Sequence, residues 1–71
     1  MTRCFEYIAG SSAKFYEAGV ADSTVTVRYG RIGTDGQAQT KSFADALSAQ
    51  RHADKLIAQK TAKGYVECAA C

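Results

Sequence analysis

The chain contains no proline. Its composition is otherwise that of an ordinary folded domain, not of a low-complexity segment. No apolar run approaches the ~20 residues that a membrane-spanning helix needs, so no membrane helix is expected. The opening residues MTRCFEYIAG lack a sustained apolar stretch. No secretory signal is therefore expected, and the expected location is the cytoplasm.

Cysteine is scarce and odd in number: Cys4, Cys68 and Cys71. An odd count without a secretory context argues against a disulfide framework. Cys68 and Cys71 have the spacing of half a zinc site, but Cys4 and His52 do not form a spaced second pair. The final CAAC has the outline of a prenylation box with an unusual last residue and no clear basic cluster before it. The expectation is a packed Cys4, a frayed last few residues, no metal and no cofactor.

Catalytic signatures are also missing. There is no nucleophile elbow, phosphate-binding glycine loop or metal-spaced carboxylate cluster. The seven acidic residues are scattered, and none forms a readable acid/base pair. His52 has no carboxylate or cysteine at useful spacing and reads as a boundary histidine. Gly30, Gly33 and Gly36 precede a strand and not a helix, which rejects a dinucleotide fingerprint. The chain is expected not to be an enzyme.

What is present is one small domain spanning residues 1–71. A core this small is marginal, so most large apolar residues are needed in it. The net charge is +2 and the pI about 8.5. Dedicated electrostatic binders exceed a pI of about 9, so any nucleic-acid partner must be met by local placement of charge.

The first two-thirds reads as strand and the last third as helix. That order predicts an α+β fold: a small antiparallel β-sheet of four to five strands packed against one α-helix. Strands are expected over residues 3–9, 14–20, 24–32 and 37–43, with a short last one over 65–68. Thr24–Val27 alternates β-branched residues and is the strongest strand signal. Asp35-Gly36 is expected to form a tight type I′ turn. The strand after it is polar on both faces, as an edge or a functional surface would be. Ala46, Ala49, Ala53, Leu56, Ile57 and Lys60 fall on one helical stripe, which predicts a helix over about 44–63. Ser42-Phe43-Ala44-Asp45 fits a capping box, and Gly64 a C-terminal stop.

The stretch VRYGRIGTDGQ, Val27 to Gln37, holds the densest pattern. Gly30 within a strand weakens pairing, so it marks a bulge or a close approach. In one reading Tyr29 offers a stacking face and Arg31 pairs with a phosphate. In the other Tyr29 fills the core and Arg31 points into water; the residues alone favour this second reading. A regular Asp35-Gly36 hairpin would set Arg31 opposite Thr40 and Gly30 opposite Lys41. Tyr29 and Arg31 would then share a face with Val25 and Val27, and Arg28, Gln39 and Lys41 would share the other.

The run from Val27 through Glu67 resembles the WGR domain family, with Tyr29 standing where the family name has tryptophan. The resemblance rests on an ordered series: Tyr-Gly-Arg, Ile-Gly-Thr, Thr-Lys-Ser-Phe, a helix, then Lys-Gly-Tyr. It implies a small antiparallel sheet backed by one helix, of the kind found beside the catalytic domain of poly(ADP-ribose) polymerases and in short free-standing bacterial proteins. It also implies binding of DNA, independent of sequence and near strand ends, and it reverses the preference between the two readings. The expected binding residues are Arg28, Tyr29, Gly30, Arg31 and Lys41. The alternative is a protein-interaction domain, using the polar edge 37–41 or the helix face. A monomer is expected, and no membrane partner.

Overall fold

The computed structural model describes residues 2–68. Five strands and one helix follow in the order β1 (Thr2–Ala9), β2 (Ser12–Ala21), β3 (Thr24–Arg31), β4 (Gln37–Ser42), α1 (Ala46–Ala62) and β5 (Val66–Cys68). They form one sheet in the order β4-β3-β2-β1-β5, antiparallel at every pairing. Two tight turns drive the meander. Ala9 pairs with Ser12 across Gly10-Ser11, and Ala21 pairs with Thr24 across Asp22-Ser23. The α+β architecture read from the sequence is the observed one. The frayed chain end expected there falls outside the described residues.

The helix lies over β2 and β3. Its small stripe residues decide how closely it approaches. Ala49 and Ala53 are buried against Val25 of β3. One turn-pair further on, Ile57 joins Phe5, Tyr16 and Ala18, with Tyr29, Leu56 and Tyr65 packed around them. Burial of these side chains is the main favourable term in so small a domain.

The helix begins three residues later than a capping box led by Ser42 would place it. Asp45 is itself the N-cap: it is extended and accepts the Ser48 N–H at 2.7 Å. That bond holds the Asp45 carboxyl below its ordinary value of 3.8. A depressed folded pKa contributes stability at pH above the ordinary carboxylate range, and this is lost as pH falls through the folded value. The urea midpoint is therefore expected to drop below about pH 4. Part of that drop should disappear in Asp45→Asn, which can still cap but cannot titrate. At the other end Lys63 is the C-cap and Gly64 follows it with φ 109°, the glycine stop the sequence anticipates.

The hairpin between β3 and β4 differs from the expected one. Tyr29 pairs with Gln37 and Val25 with Lys41, not Arg31 with Thr40. Asp35 has no positive φ, so no type I′ turn forms at Asp35-Gly36. A wider loop forms, closed by the Thr34 N–H and hydroxyl donating to the Arg31 carbonyl at 3.1 and 2.7 Å. The offset in register is odd, so every β4 side chain changes face. Lys41 and Gln39 join Val25, Val27 and Tyr29 on the helix side, and Arg28 stays on the other.

Of the two alternatives for Gly30, the bulge is the one the structure excludes. No bulge occurs there: β2 and β3 pair without interruption through Phe15–Gly30 to Lys14–Arg31. The glycine is needed because the loop folds back onto it. A Cβ on Gly30 would lie 2.8 Å from the Gly36 Cα, and one on Gly36 would strike the Tyr29 carbonyl oxygen and come within 2.7 Å of Phe15 Cζ. Two glycines thus let backbone cross backbone above Phe15.

Cys4 is buried on β1, as expected, but it is disulfide-bonded, which the odd count argued against.

Candidate nucleic-acid interface

The strand that carries Tyr-Gly-Arg ends beside the β1–β2 turn and beneath the last turn of α1. Arg31, on the helix face of β3, is exposed and pairs in register with Lys14 of β2. Lys60 reaches the same end from the helix. Its position on the apolar stripe makes it lay its stem along the core and send its ammonium outward over the rings of Tyr16 and Tyr65, 5.0 and 5.5 Å from their centroids. Burial, Lys63 and Lys14 lower the Lys60 pKa, in that order of size. Like charge is therefore gathered here, and among the described residues no ion pair relieves it.

Two adjoining cavities mark the place. One, of about 470 Å³, lies among Lys14, Arg31, Lys60, Tyr29 and Tyr65. The other, of about 300 Å³, lies among Tyr7, Lys14, Lys60, Lys63 and Tyr65. Among the described residues no carboxylate lines either one. Among the described residues, Lys14, Arg31, Lys60 and Lys63 form no ion pair, whereas Arg3 and Arg28 each hold a carboxylate, Glu67 and Glu17, at 2.8 Å. Tyr7 and Tyr65 lie 5.3 Å apart and Tyr16 and Tyr29 6.4 Å apart. Together they give the basic end an aromatic wall.

The five residues expected from the sequence do not converge on one spot. Tyr29 and Arg31 line the basic cavity with Gly30. Tyr29 is half-buried, and its hydroxyl donates to Gln37 Oε1 at 3.4 Å and accepts from Gln39 Nε2 at 3.3 Å. Lys41 is on the same side of the sheet but farther along it, with its ammonium 5.4 Å from the centre of the Phe43 ring. Arg28 is on the opposite face. It lies 5.2 Å from the centre of the Phe15 ring, binds Glu17, and donates to the Asp35 carbonyl at 3.4 Å, so it secures the β3–β4 loop. Sequence reasoning missed Lys14, Lys60 and Lys63. Lys60 carried a usable signal: a charged residue on an apolar helical stripe must reach out past the end of the sheet.

The fold, the glycine crossing and the Tyr-Gly-Arg strand end define the class. The chain matches the WGR domain over residues 1–70 and belongs to that family, which in poly(ADP-ribose) polymerase-type proteins serves as a nucleic-acid-binding module. It is 43% identical over 65 residues to protein YehF of Escherichia coli K12, which covers 92% of this chain and 24% of YehF. It is 37% identical over 67 residues to YfeS of the same organism, covering 94% of this chain and 28% of YfeS. A crystal structure of a Bacteroides fragilis protein superposes with a TM-score of 0.92 at 48% identity, over 96% of this chain and 19% of that one. The chain thus spans about a quarter of the length of these curated relatives.

Among the described residues no helix is long and apolar enough to cross a membrane. Nor does any group of three or more His, Cys, Asp or Glu side chains among them come together to hold a metal ion.

Proposed function

We propose that this domain is a non-catalytic nucleic-acid-binding module that engages DNA near strand ends, independently of sequence. The observation that carries the reading is the gathering of Lys14, Arg31, Lys60 and Lys63 around tyrosine rings, with no carboxylate among the described residues lining the two cavities. Phosphate contacts to such a group supply affinity without sequence information. The rings give an exposed sugar or base a face to rest on. A second reading, a protein partner added along the sheet edge, is favoured by β4, whose six residues are all exposed.

Salt dependence separates the two. Four phosphate contacts correspond to a slope of log affinity against log salt near −3 to −4, about −0.9 for each. Fluorescence anisotropy with a 5′-phosphorylated duplex is expected to give that slope. Lys14→Gln, Arg31→Gln and Lys63→Gln should each make it shallower by about one. Arg28→Gln, on the opposite face, should leave it unchanged. A slope near zero, or equal losses from Arg28→Gln and Arg31→Gln, would sink the reading and favour the edge-strand partner.

A further inference from the structure

Because α1 lies over β2 and β3, β4 stands clear of the helix and a cleft of about 680 Å³ opens between them. This is the size of a small-molecule site. Its floor is Val25, Val27 and Tyr29; Leu56 and Gln59 line it from the helix, and Gln39 from β4. Lys41 and His52 sit toward one end and Lys60 at the other, and among the described residues no carboxylate lines it. The interface described above leaves this cleft unused.

We infer that the cleft receives an unpaired nucleobase, so that the domain prefers a nucleic-acid end bearing unpaired nucleotides over a blunt one. The inference rests on the nucleic-acid reading and names the form of end that reading would select.

Two features of the cleft match a base better than a phosphate or a sugar, and a third draws the strand that carries it. First, the floor of Val27 and the Tyr29 ring facing Leu56, all three only partly buried, offers apolar contact to a flat ring, which a phosphate or a hydrated sugar would not reward. Second, two carboxamides stand at the rim. A carboxamide both donates and accepts, which is what the polar edge of a base requires. Gln39 spends one N–H on the Tyr29 hydroxyl and retains its carbonyl oxygen and second N–H. Gln59 is exposed on the helix and has no hydrogen bond to another described side chain. Third, the charge is of one sign, so a ligand carrying phosphate is drawn in.

Lys60 connects the cleft to the basic end. It lines the cleft and both basic cavities, and Tyr29 forms a wall shared by the cleft and the larger of the two. A strand whose phosphates rest on Lys14, Arg31 and Lys60 therefore has its next base at the mouth of the cleft. A base held in a pair presents its polar edge to its partner and cannot enter between β4 and α1. An unpaired base can.

The test is an amide NMR and anisotropy titration at low salt with three probes. They are a blunt 5′-phosphorylated duplex, the same duplex with a two-nucleotide unpaired extension, and deoxyadenosine monophosphate. The extended duplex is expected to bind about tenfold tighter, the order that one stacked base supplies. It should shift Val25, Val27 and Leu56, which the blunt duplex leaves still. Gln39→Ala and Gln59→Ala, both at exposed positions, should erase the preference while blunt-end affinity stays. Equal binding of the two duplexes, with shifts confined to Lys14, Arg31 and Lys63, overturns the inference and leaves the nucleic-acid reading standing. Occupation of the cleft by the monophosphate but not by the extended duplex also overturns it, making the cleft a site for free nucleotides. No binding of either duplex overturns the inference and the reading together.

Discussion

Gly36→Ala is expected to destabilise the domain by about 3 kcal/mol or more. Left-handed backbone costs a residue with a Cβ about 1–2 kcal/mol, and Gly36 has φ 69°. The added carbon would also strike the Tyr29 carbonyl oxygen and lie 2.7 Å from Phe15 Cζ. Neither neighbour can yield freely. The carbonyl belongs to the β3 backbone, and the Phe15 ring lies beneath the Arg28 guanidinium. Relief of such overpacking adds roughly 1–3 kcal/mol. For a domain of this size the melting temperature should fall by roughly 12–25 °C. Gly10→Ala is the control. It shares the positive φ, at 60°, but its Cβ would meet nothing within 4 Å, so only the backbone cost of about 1–2 kcal/mol remains. Urea unfolding of the two variants separates crowding from backbone preference. Equal losses would mean that the Gly30–Gly36 crossing relaxes without strain.

The same crossing explains where sequence reasoning failed. Asp35-Gly36 is a good local turn, and judged locally it fixes the register of β4. The structure forgoes that turn because the wider loop places Gly36 over Gly30 and Phe15, and Arg28 ties it through the Asp35 carbonyl. These are contacts between residues 6 to 21 positions apart in the chain, and a four-residue window does not contain them. The helix was legible for the opposite reason. The period of Ala49, Ala53 and Ile57 is local, and all three are buried. Thr24–Val27 was likewise legible, since alternation on one strand needs no knowledge of its neighbour's register.

The candidate site divides along the same line. Arg31 is exposed and Tyr29 half-buried, and both lie at the strand end where the motif places them. Lys41 and Arg28 changed sides relative to each other because their relation depended on the β4 register. Lys14 was invisible as a site residue, since only the β2–β3 pairing sets it against Arg31. Lys63 was invisible in the same way, since only the docking of the helix sets it beside Lys14 and Tyr7. Strand pairing and helix docking, not composition, turn a net charge of +2 into a basic end.

Phe5→Ala is expected to have the largest effect of any single truncation. Phe5 is 1% exposed and sits on β1, between β2 and β5 in the sheet. It opposes Tyr16 on one side and Glu67 on the other. Removing a buried phenyl ring costs about 3–5 kcal/mol. A domain of this length has roughly 4–10 kcal/mol in all, so Phe5→Ala should be largely unfolded near 37 °C. Ile57→Val, in the same cluster, should cost about 0.5–1.5 kcal/mol. Val66→Ala, at a position 68% exposed, should stay within about 0.5 kcal/mol. The consequence reaches the basic end, because Tyr16, Tyr29 and Tyr65 belong to the cluster that Phe5 anchors, and Lys60 lies over two of those rings. Phe5→Ala should therefore abolish nucleic-acid binding together with the amide dispersion of the folded state. Arg31→Gln should weaken binding with that dispersion intact. Thermal melts and NMR spectra of the two variants distinguish loss of the scaffold from loss of a contact. A Phe5→Ala protein that melts within a few degrees of the parent would show that the Phe5 cluster is not what holds helix to sheet, and would shift that role to Val25, Ala49 and Ala53.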